Sequence, residues 1–157
     1  MPNNPNLPYN SARVVFVDTS AIAAVMNEGD QHHEEAIRRY KQMVEKSYSL
    51  VLTNFVIAET HALLLNTTRN IPLGLQWLND VAYTDFTVIR PSRTEEEEAL
   101  RFINIHKDKL WSLVDALSFT IMQKLSILYY FSFDEDFRQT GRFLDITQYL
   151  DYLDKDK

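Results

Sequence analysis

Four short runs of β-branched and aromatic residues punctuate the chain, at residues 13–17, 50–53, 86–89 and 128–133, and longer helix-patterned stretches separate them. Runs of this length that are apolar at nearly every position suit strands buried on both faces rather than strands with one wet side. Strands that alternate with helices must be joined by right-handed crossovers, which lay them mostly parallel and put helices on both faces of the sheet. The expected fold is therefore α/β: a three-layer arrangement with a central, mostly parallel sheet of four or five strands. The segment Arg142-Phe143-Leu144-Asp145-Ile146 is the candidate fifth strand.

The helical segments have legible ends. Asp18-Thr19-Ser20 offers N-capping side chains after the first strand, and Asn27-Glu28-Gly29-Asp30 breaks the short helix that follows. Residues 31–46 form a charged amphipathic helix, Asn54 is placed to cap another that runs to about 67, and Pro72 suits the first turn of the next. Helices are also expected over 93–107 and 112–125, with a terminal one after the fifth strand. Glu95-Glu96-Glu97-Glu98 reads as a solvated first turn whose charges favour the helix dipole. A chain of 157 residues with 45% hydrophobic content can form one core. Residues 13–157 are read as a single domain, preceded by a flexible tail over residues 1–12.

Four acids fall where soluble proteins seldom place charge. Asp18 ends the apolar run Val14-Val15-Phe16-Val17, Asp134 follows Tyr129-Tyr130-Phe131-Ser132-Phe133, and Glu59 and Asp115 lie within apolar helical stretches. Each has a plain alternative: Asp18 as an N-cap, Glu59 as an edge residue whose carboxylate reaches water, Asp115 as a cap or hydrogen-bonded core residue, Asp134 as part of an acidic turn. Their combination is more informative than any one of them. Isolated buried carboxylates take up protons unless a partner charge or a metal shares the site, and hard divalent ions such as Mg2+ or Mn2+ prefer oxygen ligands. In open parallel sheets ligands gather beyond the carboxyl ends of the strands, where Asp18 and Asp134 both fall. Metal-dependent chemistry on phosphodiester bonds is the expected activity.

Composition narrows the field. With no cysteine, disulfides, thiolate zinc sites and cysteine nucleophiles are excluded. The opening residues lack the basic and apolar regions of a secretory signal, and no apolar stretch approaches the length of a membrane span, so a cytoplasmic protein without membrane association is expected. The net charge of -6 argues against a broadly basic nucleic-acid binder. It leaves room for a nuclease, because clustered acids weigh heavily in the sum and bound metal cancels their field where phosphate approaches.

The motifs Val17-Asp18-Thr19-Ser20-Ala21, Ile57-Ala58-Glu59, Leu113-Val114-Asp115-Ala116 and Ser132-Phe133-Asp134-Glu135-Asp136-Phe137, in that order, resemble the PIN-domain family, especially the small VapC-type toxin ribonucleases of bacterial toxin-antitoxin pairs. The resemblance spans nearly the whole chain after the tail and implies a PIN-like three-layer fold. It also implies a Mg2+ or Mn2+ site held by Asp18, Glu59, Asp115 and Asp134, with Thr19 and Ser132 as supporting hydroxyls and Asp136 as an outer metal ligand. Ser132 stands where the family places Thr and keeps the hydroxyl. The implied partners are an RNA substrate, a small antitoxin protein that occludes the acid pocket, and a second copy of the chain in a homodimer. Arg138 and Arg142, which follow Asp134, are the expected RNA contacts at the rim of the crevice.

Other readings stay open at this level. A PIN-fold RNA-processing or RNA-binding module without a toxin role, or a catalytically inactive regulatory protein, would share the fold. A haloacid-dehalogenase-type phosphatase needs a second Asp where this chain has Ser20, and a receiver domain needs an acidic pair where Asp18 stands alone. The four histidines read as structural or exposed, with His106 near a helix C-terminus. Trp77 and Trp111 read as core or interface.

Overall fold

A computed structural model describes residues 11–84 and 86–155. The expected tail over residues 1–12 lies, for residues 1–10, outside the described residues; its last two positions enter a 3-10 turn, Ser11–Arg13, that leads into the sheet. Five strands form that sheet: β1 Val14–Val17, β2 Ser49–Thr53, β3 Thr87–Ile89, β4 Tyr129–Phe131 and β5 Leu144–Asp145. All four pairings are parallel, in the order β3-β2-β1-β4-β5. The apolar runs do what their composition requires. Val14, Val15, Phe16 and Val17 are each at most 2% exposed, and since successive strand side chains point to opposite faces, both faces of β1 are covered.

Helices supply the cover. α1 Thr19–Met26 and α2 His33–Glu45 join β1 to β2; α3 Asn54–Thr68 and α4 Ile71–Tyr83 join β2 to β3; α5 Arg93–Ile105 and α6 Leu113–Lys124 join β3 to β4. The short α7 Asp136–Gln139 and the terminal α8 Ile146–Lys155 flank β5. Ala21 and Ile22 of α1, Met43 of α2, Val56 and Leu64 of α3, Trp77 of α4, Phe119 and Met122 of α6, and Leu150 of α8 join the strand side chains in one core. Gly74 lets α4 approach α3 closely, because a Cβ there would sit 3.1 Å from the His61 ring and from Leu65. Among the described residues no helix is long and apolar enough to cross a membrane.

The local differences from expectation have physical causes. The α3 cap is Thr53, whose hydroxyl accepts the Val56 N–H at 3.2 Å, while Asn54 is already the first helical residue. Thr and Asn both cap well, and it is the end of β2 pairing at Thr53 that decides between them. Glu95 is not solvated. It is buried, closes a capping box with Ser92, and accepts a hydrogen bond from Lys124 of α6. Glu96 and Glu97 are exposed, and Glu97 pairs at 3.0 Å with the exposed Arg93 one turn earlier on the same helix.

The chain builds β1, β2 and β3 outward in one direction, then crosses back to lay β4 on the other side of β1. That reversal opens a crevice between the carboxyl ends of β1 and β4, the place where doubly wound sheets bind ligands.

Candidate active site

At the crevice the backbone of Asp18 closes the gap, its N–H donating to Phe131 O at 3.0 Å. Asp18 holds the N-cap position of α1 yet makes no side-chain cap bond. Its carboxylate turns toward β4 instead, accepting from Ser132 Oγ at 2.8 Å and from Ser20 Oγ at 3.3 Å. The two serine hydroxyls lie 3.0 Å apart. Each also fixes backbone: Ser20 Oγ accepts the Phe133 N–H at 2.9 Å, and Ser132 Oγ accepts the Asp134 N–H at 3.1 Å. A knot of two hydroxyls and one carboxylate thus ties the start of α1 to the end of β4. Ser20 was not among the sequence-derived candidates. Its signal was its place two residues after a strand-ending acid, in the first turn of a helix.

The remaining acids approach from other elements. Glu59 sits on α3 at the margin of the stripe Val56, Thr60 and Leu64 that faces the core, and is half-buried. The exposed Ala58 and Ala62 show that this side of α3 is the partly wet edge, not a wholly buried face. Asp115 stands in the first turn of α6 and closes a capping box: Ser112 N–H and Oγ donate to its Oδ2 at 2.7 and 2.9 Å, and its own N–H donates to Ser112 Oγ at 3.1 Å. The capping alternative is therefore realised at Asp115, and it holds one carboxylate oxygen. Asp134 and Asp136 follow β4, the latter opening α7.

Electrostatics link these groups. Burial raises Asp18 from the ordinary carboxylate value of 3.8 to about 7, against the stabilising Ser132 and Thr19 hydrogen bonds, and the charges of Asp134 and Asp115 push the same way. Glu59 is raised by burial and by Asp115 and Asp134, opposed by the Thr19 hydroxyl. That hydroxyl is buried and has no hydrogen bond of standard geometry, so its pull on Glu59 acts across a longer gap. Asp134, although exposed overall, is raised by the protein packed about its carboxylate and by Asp115, with Ser20 and His32 opposing. Asp136 is raised to about 6 by burial and by Asp115, Asp134 and Glu59. Among the described residues none of these five acids forms an ion pair with Lys, Arg or His.

The donor set suits a hard cation: carboxylate and hydroxyl oxygens, mutually repelling, with an unbonded buried hydroxyl at Thr19. As the side chains stand, however, no three Asp, Glu or His groups among the described residues are gathered closely enough to hold an ion. The acids share one electrostatic pocket without surrounding one point, so binding a cation requires their side chains to turn inward.

The two arginines part company. Arg138 lies with Ser132, Asp134 and His32 along a cavity beside the crevice, paired with Glu135 at 3.1 Å. Arg142 does not reach the rim. Its guanidinium donates to Gln123 near the end of α6 and covers Phe102, and it precedes β5, whose Leu144 pairs with the first residue of β4. That is the amino end of the sheet, opposite the acids. His32, expected as structural or exposed, stacks its ring on Phe133 at 4.4 Å beside Asp134. His106 caps α5 as expected and packs on Phe102 and Trp111.

Comparison with known proteins places this geometry in a family. The PIN domain matches residues 15–143. The 23S rRNA-specific endonuclease VapC20 of Mycobacterium tuberculosis is 33% identical over 132 residues, covering 82% of this chain and 95% of that protein. The crystal structure of VapC20, described as a Sarcin-Ricin loop cleaving toxin, superposes with a TM-score of 0.76 at 31% identity, over 83% of this chain and 97% of its own. PAE2754 from Pyrobaculum aerophilum shares the fold at a TM-score of 0.62 and 18% identity, over 93% and 99% of the two chains. With a match across most of its length and a relative covered almost end to end, this chain belongs to the PIN domain family.

Proposed function

We infer that this chain is a PIN-domain ribonuclease toxin, an endoribonuclease that hydrolyses RNA phosphodiester bonds with Mg2+ or Mn2+ held by Asp18, Glu59, Asp115 and Asp134, and with Asp136 beside them. One observation carries the assignment of the site. Burial and the charges of neighbouring acids, Asp115 of α6 among them, raise Asp18, Glu59, Asp134 and Asp136 across a single crevice, and among the described residues none of the five is paired with a cation. Structural acids end up paired; a set left mutually repelling is organised for a charge that arrives from outside. The activity of the VapC20 relative supports RNA as the substrate.

The chain's own residues divide the work. Ser132 and Ser20 orient Asp18, and the hydrogen bonds from Ser132 and the Thr19 backbone favour its ionised form against burial. Thr19 attracts the Glu59 carboxylate toward α1. The capping box engages Oδ2 of Asp115 and makes no demand on its other oxygen. Asp18, Glu59, Asp115 and Asp134 would hold the divalent ion, which would supply water activation for attack on phosphorus and charge neutralisation at the phosphate. No nucleophilic side chain is required.

A toxin role brings a small antitoxin protein that covers the crevice, and a homodimer; exposed Ile71 and Leu75, one turn apart on α4, offer an apolar face for such contacts. Its place of action is the cytoplasm, where its RNA is. The test is cleavage-site mapping on total cellular RNA and on ribosomes with Mn2+, wild type and Asp115→Asn side by side. Discrete cuts by wild type alone support the reading. No cleavage, together with unchanged Mn2+ binding in Asp18→Asn and Asp115→Asn, would end it in favour of a non-catalytic PIN module.

A further inference from the structure

Beside the acid crevice lies a second cavity of about 210 Å³, between the end of β4, α7 and the loop before α2. Six of its lining residues bear on its chemistry: His32, Glu35, Phe133, Asp134, Glu135 and Arg138. It shares Asp134 and Ser132 with the crevice, so a molecule that fills it lies beside the acids. Its volume is that of a single planar heterocycle and part of a ribose, not of a duplex.

One wall is aromatic and fixed. The His32 and Phe133 rings stack at 4.4 Å with 5° between planes, and Phe131 meets Phe133 edge-on at 5.5 Å. Both backbones are pinned: His32 N–H donates to Asp30 Oδ1 at 2.8 Å, Phe133 N–H to Ser20 Oγ at 2.9 Å, and the neighbouring His33 Nδ1 bonds Ala24 O at 2.7 Å. The rest of the lining is rich in acceptors. Glu35, Asp134, Glu135 and Asp145 bring carboxylates, of which Glu35 has one oxygen 3.6 Å from Arg39 and Glu135 one oxygen 3.1 Å from Arg138, the full-time cation among the lining residues. A phosphate would be repelled by that balance. A nucleobase would not, because its face stacks on aromatic side chains and its edge can offer N–H donors to carboxylates.

We propose that this cavity is a nucleobase subsite, which takes one unpaired base next to the scissile phosphate, stacks it against the His32–Phe133 pair and favours bases bearing an amino group over uracil. The inference rests on the ribonuclease reading and names what that site grips. A base must leave a helix to enter, so the substrate is a loop, bulge or single strand. Uracil is disfavoured because its one N–H lies between two carbonyl oxygens that carboxylates repel.

The test is equilibrium binding, which separates this proposal from cleavage. Fluorescence anisotropy with a short labelled single-stranded RNA, in Ca2+ to neutralise the acids, is measured for the parent and for versions with one abasic ribose at each position in turn. For wild type, one abasic position weakens binding on the order of tenfold or more, and uracil there is weaker than adenine, cytosine or guanine. For Phe133→Leu and His32→Gln, the intact RNA binds weakly and the abasic penalty at that position disappears. Two such variants guard against one failing to fold, with a thermal melt run on each. Equal tolerance of every abasic position by wild type overturns the proposal, as does an undiminished penalty in both variants. If wild-type protein binds with the expected pattern yet cuts no RNA under Mn2+, the subsite stands and the nuclease reading fails.

Discussion

Two groups of acids in this molecule live under opposite rules. On the outer helices acids are paired: Asp151 of α8 meets the buried Arg39 of α2 at 2.7 Å, and Glu95 of α5 meets Lys124 of α6. The Arg39 hydrogen bond holds Asp151 below the ordinary carboxylate range. Burial works against ionisation of Glu95, but hydrogen bonds from Lys124 and Ser92 outweigh it and leave it low as well. In the crevice, Asp18, Glu59, Asp134 and Asp136 are all raised. Sequence charge is the same in both regions. What separates them is whether the fold supplies a cation, and that difference marks one group as glue and leaves the other unpaired.

The contrast can be broken most strongly at Asp18. Asp18→Asn should lower RNA cleavage by a hundredfold or more, on the order expected when an electrostatic catalytic group is lost, while the cation-free protein melts no lower than wild type because a buried charge is gone. Cleavage rates paired with calorimetric melts check both halves; a variant that cuts at wild-type rate removes Asp18 from the site.

Acidity provides the next test. A raised carboxyl binds its proton more tightly in the folded state, so the stability it contributes is complete below pH 3.8 and is lost as pH climbs toward and through about 7. For Asp18 the whole span amounts to about 4 kcal/mol. The paired acids slope the other way, since Glu95 and Asp151 contribute above their unfolded pKa and lose it on acidification. Denaturant titrations in a metal chelator should therefore show wild type losing stability between pH 4 and 7 more steeply than Asp18→Asn does. Adding Mn2+ at pH 7.5 should raise the melting temperature of wild type and leave that of Asp18→Asn nearly unmoved.

Smaller effects sharpen the picture. Arg39→Met removes the buried cation, and because Asp151 is half exposed the cost should be about 1–2 kcal/mol, visible as a drop of several degrees in melting temperature without loss of cleavage per folded molecule. Ser132→Ala deletes the 2.8 Å bond to Asp18 and the cap on Asp134 N–H. It should weaken Mn2+ binding several-fold and cost about 1 kcal/mol, with Ser132→Thr restoring both.

Much of this architecture could be read from the residues. β-Branched runs marked the strands because burial on both faces leaves no room for polar alternation, and the fifth strand was visible despite its two residues. The unread parts depend on encounters across the chain. Glu95 looks solvated until α6 brings Lys124 beside it; Arg142 looks close to Asp134 until α7 carries it to the other end of the sheet. His32 and Ser20 acquire their surroundings only when β4 docks beside β1. For the acids, the sequence revealed their odd settings and their order. That Asp115 spends one oxygen on a capping box, and that no three acids among the described residues close around a point, are matters of rotamer and helix phase.

The bond between the Ser20 and Ser132 hydroxyls spans 112 positions of the polymer. A ribosome making this protein must therefore finish β4 before the crevice has its second wall. Until then the emerging chain carries Asp18, Glu59 and Asp115 but nothing to clasp them, and the blade stays unfinished until that fourth strand has been made.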